Sequence, residues 1–273
     1  AEDAHGYNVA VGYGALSVQN AGANAYNVAV GYEAGVAVST GAQNTLIGGQ
    51  AGQSLTTGEK NVAIGKAALS SEDTGDRNVA IGNGALQTLN YDGSGYNVAV
   101  GYDAGVAMTT GVYNVLIGAT AGDAITTAEK NIAIGYGALG AEDTHGRNIA
   151  IGDSALLVLN AGAYGYNVAI GHEAGAAMST GVQNTLMGGL AGDALTTGNY
   201  NIAIGHTALS TEDTGNKSVA IGHQALLNQN YDGDAFNTAV GHNVGAAITS
   251  GAENTLMGGL AGDALTTGQR NTA

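Results

Sequence analysis

A short motif, Asn-(Val/Ile/Thr)-(Ala/Leu)-(Val/Ile/Met)-Gly, opens at positions 8, 27, 44, 61, 78, 97, 114, 131, 148, 167, 184, 201, 218, 237, 254 and 271 of this 273-residue chain. Ser218 is the one replacement of the Asn, and Ala273 ends the chain within the last copy. The spacings run 19, 17, 17, 17 and then repeat, so four short units make a 70-residue super-unit. A unit this short cannot bury an apolar face by itself, and only stacking of neighbours gives a continuous core. The reading is an all-β parallel β-solenoid of 17- and 19-residue coils, one continuous array over 1–273 with super-units 8–77, 78–147, 148–217 and 218–273. Both ends cut through a repeat, with Ala1-Glu2-Asp3-Ala4-His5-Gly6 matching Ala141-Glu142-Asp143-Thr144-His145-Gly146, which predicts a piece of a longer polypeptide.

Composition agrees where it bears on the coil. The chain has no Pro and no Trp, and one Phe, so its core must be thin and built from Val, Ile, Leu and Ala. Absence of Pro suits a backbone whose amides are used in sheet ladders. The 47 glycines follow the coil period rather than a three-residue one, which excludes collagen and argues against reading them as nucleotide loops.

Numbering the motif Asn as offset zero separates the roles of the columns. Offsets one and three (Val62 and Ile64) face one way along a strand and offset two (Ala63) the other. Offset two is apolar in every copy, where a solenoid alone in water would alternate apolar and polar. The expectation is that this column forms an apolar stripe covered by further copies of the chain. The interface candidates are Ala10, Ala29, Leu46, Ala63, Ala80, Ala99, Leu116, Ala133, Ala150, Ala169, Leu186, Ala203, Ala220, Ala239 and Leu256. Packing on another strand of the same coil is the alternative for this face. Offset four is always Gly, which predicts a positive φ or a close backbone approach. Offset eight alternates Leu with Gly, and where it is Gly, offset eleven is a hydrophobe such as Val38, Leu55 or Met108. That exchange is core filling. The Asn column reads as an amide ladder from coil to coil.

The residues that form these columns resemble two families. Ser218-Val219-Ala220-Ile221-Gly222 is similar to the head repeat of trimeric autotransporter adhesins, and Asn237-Thr238-Ala239-Val240-Gly241 resembles repeat tracts of bacteriophage-type tail fibres. The resemblance covers the whole chain. It implies a left-handed β-roll, wound as a homotrimer, in a stiff fibre outside a cell or on a virion. The coils here, at 17 or 19 residues, are longer than adhesin head units.

Function classes narrow accordingly. Seven Lys and Arg against 22 Asp and Glu leave a net charge of −15, which disfavours nucleic acid and anionic membrane surfaces as partners. No apolar run reaches membrane-spanning length, no Cys is present, and no nucleophile elbow, phosphate loop or zinc signature is found. Carboxylate pairs such as Glu72-Asp73 recur at a turn and read as solvated. The expectation is a structural, non-enzymatic fibre segment, extracellular, binding chiefly itself and through surface aromatics a host receptor or glycan. A self-assembling filament and, further off, an ice-binding solenoid are the alternatives.

The surface-contact candidates are Tyr13, Tyr32, Tyr102 and Tyr136 at offset five, with Tyr91, Tyr164 and Tyr231 in the loops of the 19-residue coils. Those loops, 20–26, 90–96, 160–166 and 230–236, each end in an aromatic residue. No cofactor is required by the pattern. The residues nearest to a metal set are His206, His223 and His242, one per successive coil, and for calcium Asp92, Asp232 and Asp234.

Overall fold

A computed structural model describes residues 6–273. The described residues contain fifteen three-residue β-strands and no helix. The chain divides into two compact units, 1–133 and 134–273, and each is a parallel β-solenoid. In the first, β1 (Val9–Val11), β2 (Val28–Val30), β3 (Thr45–Ile47), β4 (Val62–Ile64), β5 (Val79–Ile81), β6 (Val98–Val100) and β7 (Val115–Ile117) pair in chain order. β8 (Ile132–Ile134) straddles the boundary. In the second, β9 (Ile149–Ile151), β10 (Val168–Ile170), β11 (Thr185–Met187), β12 (Ile202–Ile204), β13 (Val219–Ile221), β14 (Thr238–Val240) and β15 (Thr255–Met257) do the same. Register is column on column, Thr45 beside Val62 and Leu46 beside Ala63, whether the intervening coil has 17 or 19 residues. The two extra residues therefore enter the loop and leave the ladder intact.

The strands are short because each is closed at both ends. Asn61 sits before β4 and Gly65 after it, with φ +133° at the glycine. A Cβ on Gly65 would lie 2.3 Å from the Gly82 carbonyl oxygen of the next coil. The same collision recurs in the glycine column, from Gly12 against Gly31 to Gly241 against Gly258, so close approach and backbone sign both demand Gly.

The Asn column is the ladder expected, built mainly from amide-to-backbone bonds. Asn61 N–H donates to Asn44 Oδ1 at 2.9 Å, Asn61 Oδ1 accepts from Asn78 N–H at 2.9 Å, and Asn61 Nδ2 donates to the Gly75 carbonyl at 2.8 Å. The buried Asn61 side chain thus satisfies one backbone group of its own coil and one of the next. At Ser218 the shorter side chain cannot reach, and buried Gln229 fills the place. Its Nε2 donates to Ser218 Oγ and its Oε1 accepts from Asn237 Nδ2, both at 2.8 Å.

Offset two turns out to face the coil interior. Ala29, Leu46, Ala63, Ala80, Ala99, Leu116, Ala133, Ala150, Ala169, Leu186, Ala203, Ala220 and Ala239 are fully enclosed within the single chain, and Leu256 nearly so. Ala10, in the first strand, is exposed. The expected interface column is therefore core, and because each coil holds a single strand these residues pack against the turns within the solenoid and not on another strand of the same coil. The reason is volume. Leu46 Cδ1 would stand 2.6 Å from a Cβ on Gly35, and Leu46 Cδ2 2.8 Å from one on Gly52. Leu46 occupies the space that a Leu at offset eight of its own coil or of the coil before would fill, as Leu69 and Leu86 do elsewhere, which accounts for the Leu and Gly exchange at offset eight. Both forms share a left-handed backbone, with φ +52° at Leu69 and +55° at Gly52.

Candidate functional site

With Ala and Leu inside, Val and Ile point outward. In β2 to β14 the middle residue of each strand is buried and the two outer ones are part-exposed or exposed, so offsets one and three form the outer face of each solenoid. Ile47, Ile117 and Met187 are exposed, and Met257 is 69% exposed. This outer sheet face of mostly β-branched side chains, with hardly a charge, is a regular apolar surface that the repeat creates.

The side chains predicted to touch partners are mostly exposed. Tyr13, Tyr32, Tyr102, Tyr136 and Tyr164 are exposed, while Tyr91 and Tyr231 are half-buried in their loops. Tyr13 stacks on Tyr32 with ring centroids 5.6 Å apart. A second exposed column, missed from sequence, is the residue just before the motif Asn. It holds Tyr7, Tyr26, Tyr96, Tyr113, Tyr166, Tyr200 and Phe236, together with Lys60, Arg77, Lys130, Arg147, Lys217 and Arg270, which are all but one of the seven cations. Every one of these residues has a positive φ, between +50° and +67°. Arg77 lies over the Tyr96 ring at 5.6 Å and Lys217 over Phe236 at 5.1 Å. The cations also meet acids, Lys60 with Glu59 at 3.3 Å and Lys217 with Asp234 at 2.6 Å, so the column carries little net charge. Its signal was the same column alignment, taken one residue earlier.

The metal candidates do not converge. His206, His223 and His242 form a parallel stack with centroids 5.6 and 5.0 Å apart. Thr74 and Thr214 hydroxyls donate to Asp92 and Asp232 at 2.7 Å, and Asp234 is held by Lys217. Asp73, Asn90, Tyr91, Asp92 and Thr110 line a shallow open depression.

The turn carboxylates are not solvated as expected. Glu72, Glu142 and Glu212 are fully buried, one per super-unit. Glu72 Oε1 accepts the Gly75 and Asp73 amides at 2.8 and 3.1 Å, and Oε2 accepts the Tyr91 amide at 3.2 Å. A side chain in the 17-residue coil thereby anchors the loop of the 19-residue coil. Glu212 does the same for Gly215 and Tyr231 and also accepts Gln229 Nε2 at 2.8 Å. At Glu142, Oε1 accepts the His145 amide at 3.0 Å and the Ala161 and Asp143 amides also favour the charged carboxylate, while Oε2 has no hydrogen-bond partner.

Burial raises the Glu72 carboxyl above the ordinary carboxylate range and pushes Glu142 up to about 7, the amides around each opposing the shift only in part. A folded pKa above the unfolded one means that ionisation costs more in the fold. The cost is absent below about 4.5, where both states hold the proton, and fully present above about 7. Thermal melting followed by circular dichroism is therefore expected to show the higher Tm at pH 5 than at pH 8, with Glu142→Gln narrowing the difference. A Tm that rises from pH 5 to pH 8 contradicts this account.

The chain matches no protein-family model, no curated protein and no solved structure. The functional reading rests on the molecule itself. No helix of the described residues is long and apolar enough to cross a membrane.

Proposed function

We propose that this chain is a structural segment of an extracellular or virion fibre, non-enzymatic, assembled as a homo-oligomer with a trimer favoured. The observation that supports this most is the outward row at offsets one and three, exemplified by Val62, Ile64, Val79 and Ile81, half-exposed on a single chain. An apolar β-face of this regularity is covered most simply by the same face of another copy, because rung spacing and side-chain order then match without adjustment. The resemblance to adhesin heads and tail-fibre tracts makes the number three the natural one. The exposed Tyr13, Tyr32, Tyr102 and the column before the motif Asn are left to meet a receptor or a glycan. Aromatic rings at regular spacing suit stacking on sugar faces.

Sedimentation equilibrium tests the assembly. A species of three times the 26.8 kDa of one chain is expected. Replacing Val79 and Ile81 together with Glu, and likewise Val98 and Val100, is expected to yield folded monomer with an unchanged far-ultraviolet spectrum, since these side chains leave the coil interior untouched. A stable wild-type monomer would refute the proposal. Species growing without limit would favour a polymerising filament.

A further inference from the structure

One turn of the second unit departs from its sister turns in a way the fibre role does not use. The sequences Glu72-Asp73-Thr74-Gly75, Glu142-Asp143-Thr144-His145 and Glu212-Asp213-Thr214-Gly215 occupy equivalent positions one super-unit apart. In the two turns with Gly, both oxygens of the buried glutamate are bonded, as described above for Glu72 and Glu212. Of the three turn glutamates, only the one whose turn carries His145 in place of the Gly keeps a buried oxygen, Glu142 Oε2, without a hydrogen-bond partner; Asp73 Oδ1 and Asp193 Oδ1 are the other such carboxylate oxygens among the described residues. An unmatched acceptor in the interior is costly and calls for a cation or a proton.

The replacing residue brings a ligand to the same place. A carboxylate oxygen of Glu142, one of Asp143 and a ring nitrogen of His145 lie within 4.8 Å of one another, the one such grouping of His, Cys, Asp or Glu among the described residues. His145 Nδ1 contacts the Thr144 hydroxyl at 3.0 Å, and that hydroxyl donates to Asp143 Oδ1 at 3.1 Å, so the exposed Thr144 ties the two half-buried side chains together. We infer that Glu142, Asp143 and His145 form a binding site for one divalent transition cation, of which zinc is the probe. One imidazole and two carboxylates supply three donors of the kind zinc accepts, with a fourth position open to water. Metal–ligand bonds of about 2.0–2.2 Å put donors about 3.3 Å apart. Rotation of Asp143 and His145, neither of them fully buried, covers the remaining distance while Glu142 stays fixed by its amides. The bound ion would staple the turn that precedes the 160–166 loop. The motif recurs at Glu2-Asp3-Ala4-His5, which lies outside the described residues.

Calorimetric titration of the untagged chain with zinc chloride at pH 7.5 tests the site. His145→Gly installs the residue of the sister turns and is expected to fold. It should lower the zinc stoichiometry by one, as should Glu142→Gln, and it should abolish the part of the zinc-induced rise in Tm that wild type shows through this site. The triple variant His206→Asn, His223→Asn, His242→Asn should keep the His145-dependent site, separating it from the stacked imidazoles. Wild-type stoichiometry and affinity in His145→Gly would overturn the inference. If that variant fails to fold, the His145 ring proton resonance of the wild type decides: it shifts on adding one equivalent of zinc, and an unmoved resonance overturns the site.

Discussion

Gly65→Ala is expected to melt the coils around β4 and β5, although it adds a single methyl group. Two costs combine. The backbone at Gly65 has φ +133°, which an L side chain adopts only with strain of roughly 1–3 kcal/mol. The added Cβ would also stand 2.3 Å from the Gly82 carbonyl oxygen and 2.5 Å from its carbon, which are backbone atoms fixed by the ladder. Relief requires the coils to part, which breaks bonds such as Gly65 N–H to Ile47 O and Gly82 N–H to Ile64 O, both 2.7 Å. A loss of about 3 kcal/mol or more follows, a fall in Tm on the order of 10 °C for a unit of this size. The matched control is Gly49→Ala, whose Cβ meets nothing within 4 Å and whose φ is unexceptional; it should shift Tm by no more than a degree or two. Equal melting of the two variants would mean that the glycine column is not held by close approach. Hydrogen exchange should localise the damage to β3–β6, because a solenoid loses contacts chiefly with its neighbours.

Asn61→Ala is the second large effect. The side chain is buried and serves two backbone groups that no water reaches, the Asn78 amide and the Gly75 carbonyl. Truncation leaves both unsatisfied, at about 1–3 kcal/mol each. The chain contains its own control. Ser218 occupies the same column, where Gln229 replaces part of the missing amide by bonding Ser218 Oγ and accepting the Asn237 side-chain amide. Gln229→Leu, the residue present at the equivalent Leu89 and Leu159, should therefore destabilise the second unit by an amount comparable to Asn61→Ala in the first. Restoring Asn in the column, as Ser218→Asn with Gln229→Leu, should recover most of it. If Asn61→Ala melts within about 0.5 kcal/mol of wild type, the column is not the satisfier of turn backbone described here. Both effects are larger than anything expected from the exposed ion pairs, such as Arg270 with Glu253 at 2.8 Å, which water screens.

Much of the fold could be read from the sequence because the repeat imposes it. A fixed spacing of 17 and 19 residues requires stacked coils, the Asn and Gly that bracket each apolar triplet fix where strands begin and end, and the insertion recurring at one position predicts an undisturbed register. The Asn ladder, the glycine column and the volume exchange at offset eight are all consequences of stacking like on like. Side-chain alternation also established that offset two opposes offsets one and three. It could not say which side is inside, because all three positions are apolar, and alternation has no sign when neither face is polar.

Tertiary structure supplied that sign. The coil interior is narrow and closes over Ala63 or Leu46, the latter only where Gly35 and Gly52 make room, so the β-branched Val62 and Ile64 are driven outward. Structure likewise decided the turn glutamates. Adjacent carboxylates in a Gly-rich segment read as solvated, yet Glu72 is buried because amides from its own turn and from Tyr91, 19 residues on, converge on it. Convergence across coils has no local signature. Nor does the consequence of putting His145 where Gly75 and Gly215 stand, since a one-residue exchange in a turn shows as chemistry only once the unmatched Glu142 oxygen is seen beside it. The sequence by itself determined the period, the strands and the register; packing volume and the convergence of buried donors decided which face looks out and where an ion could be held.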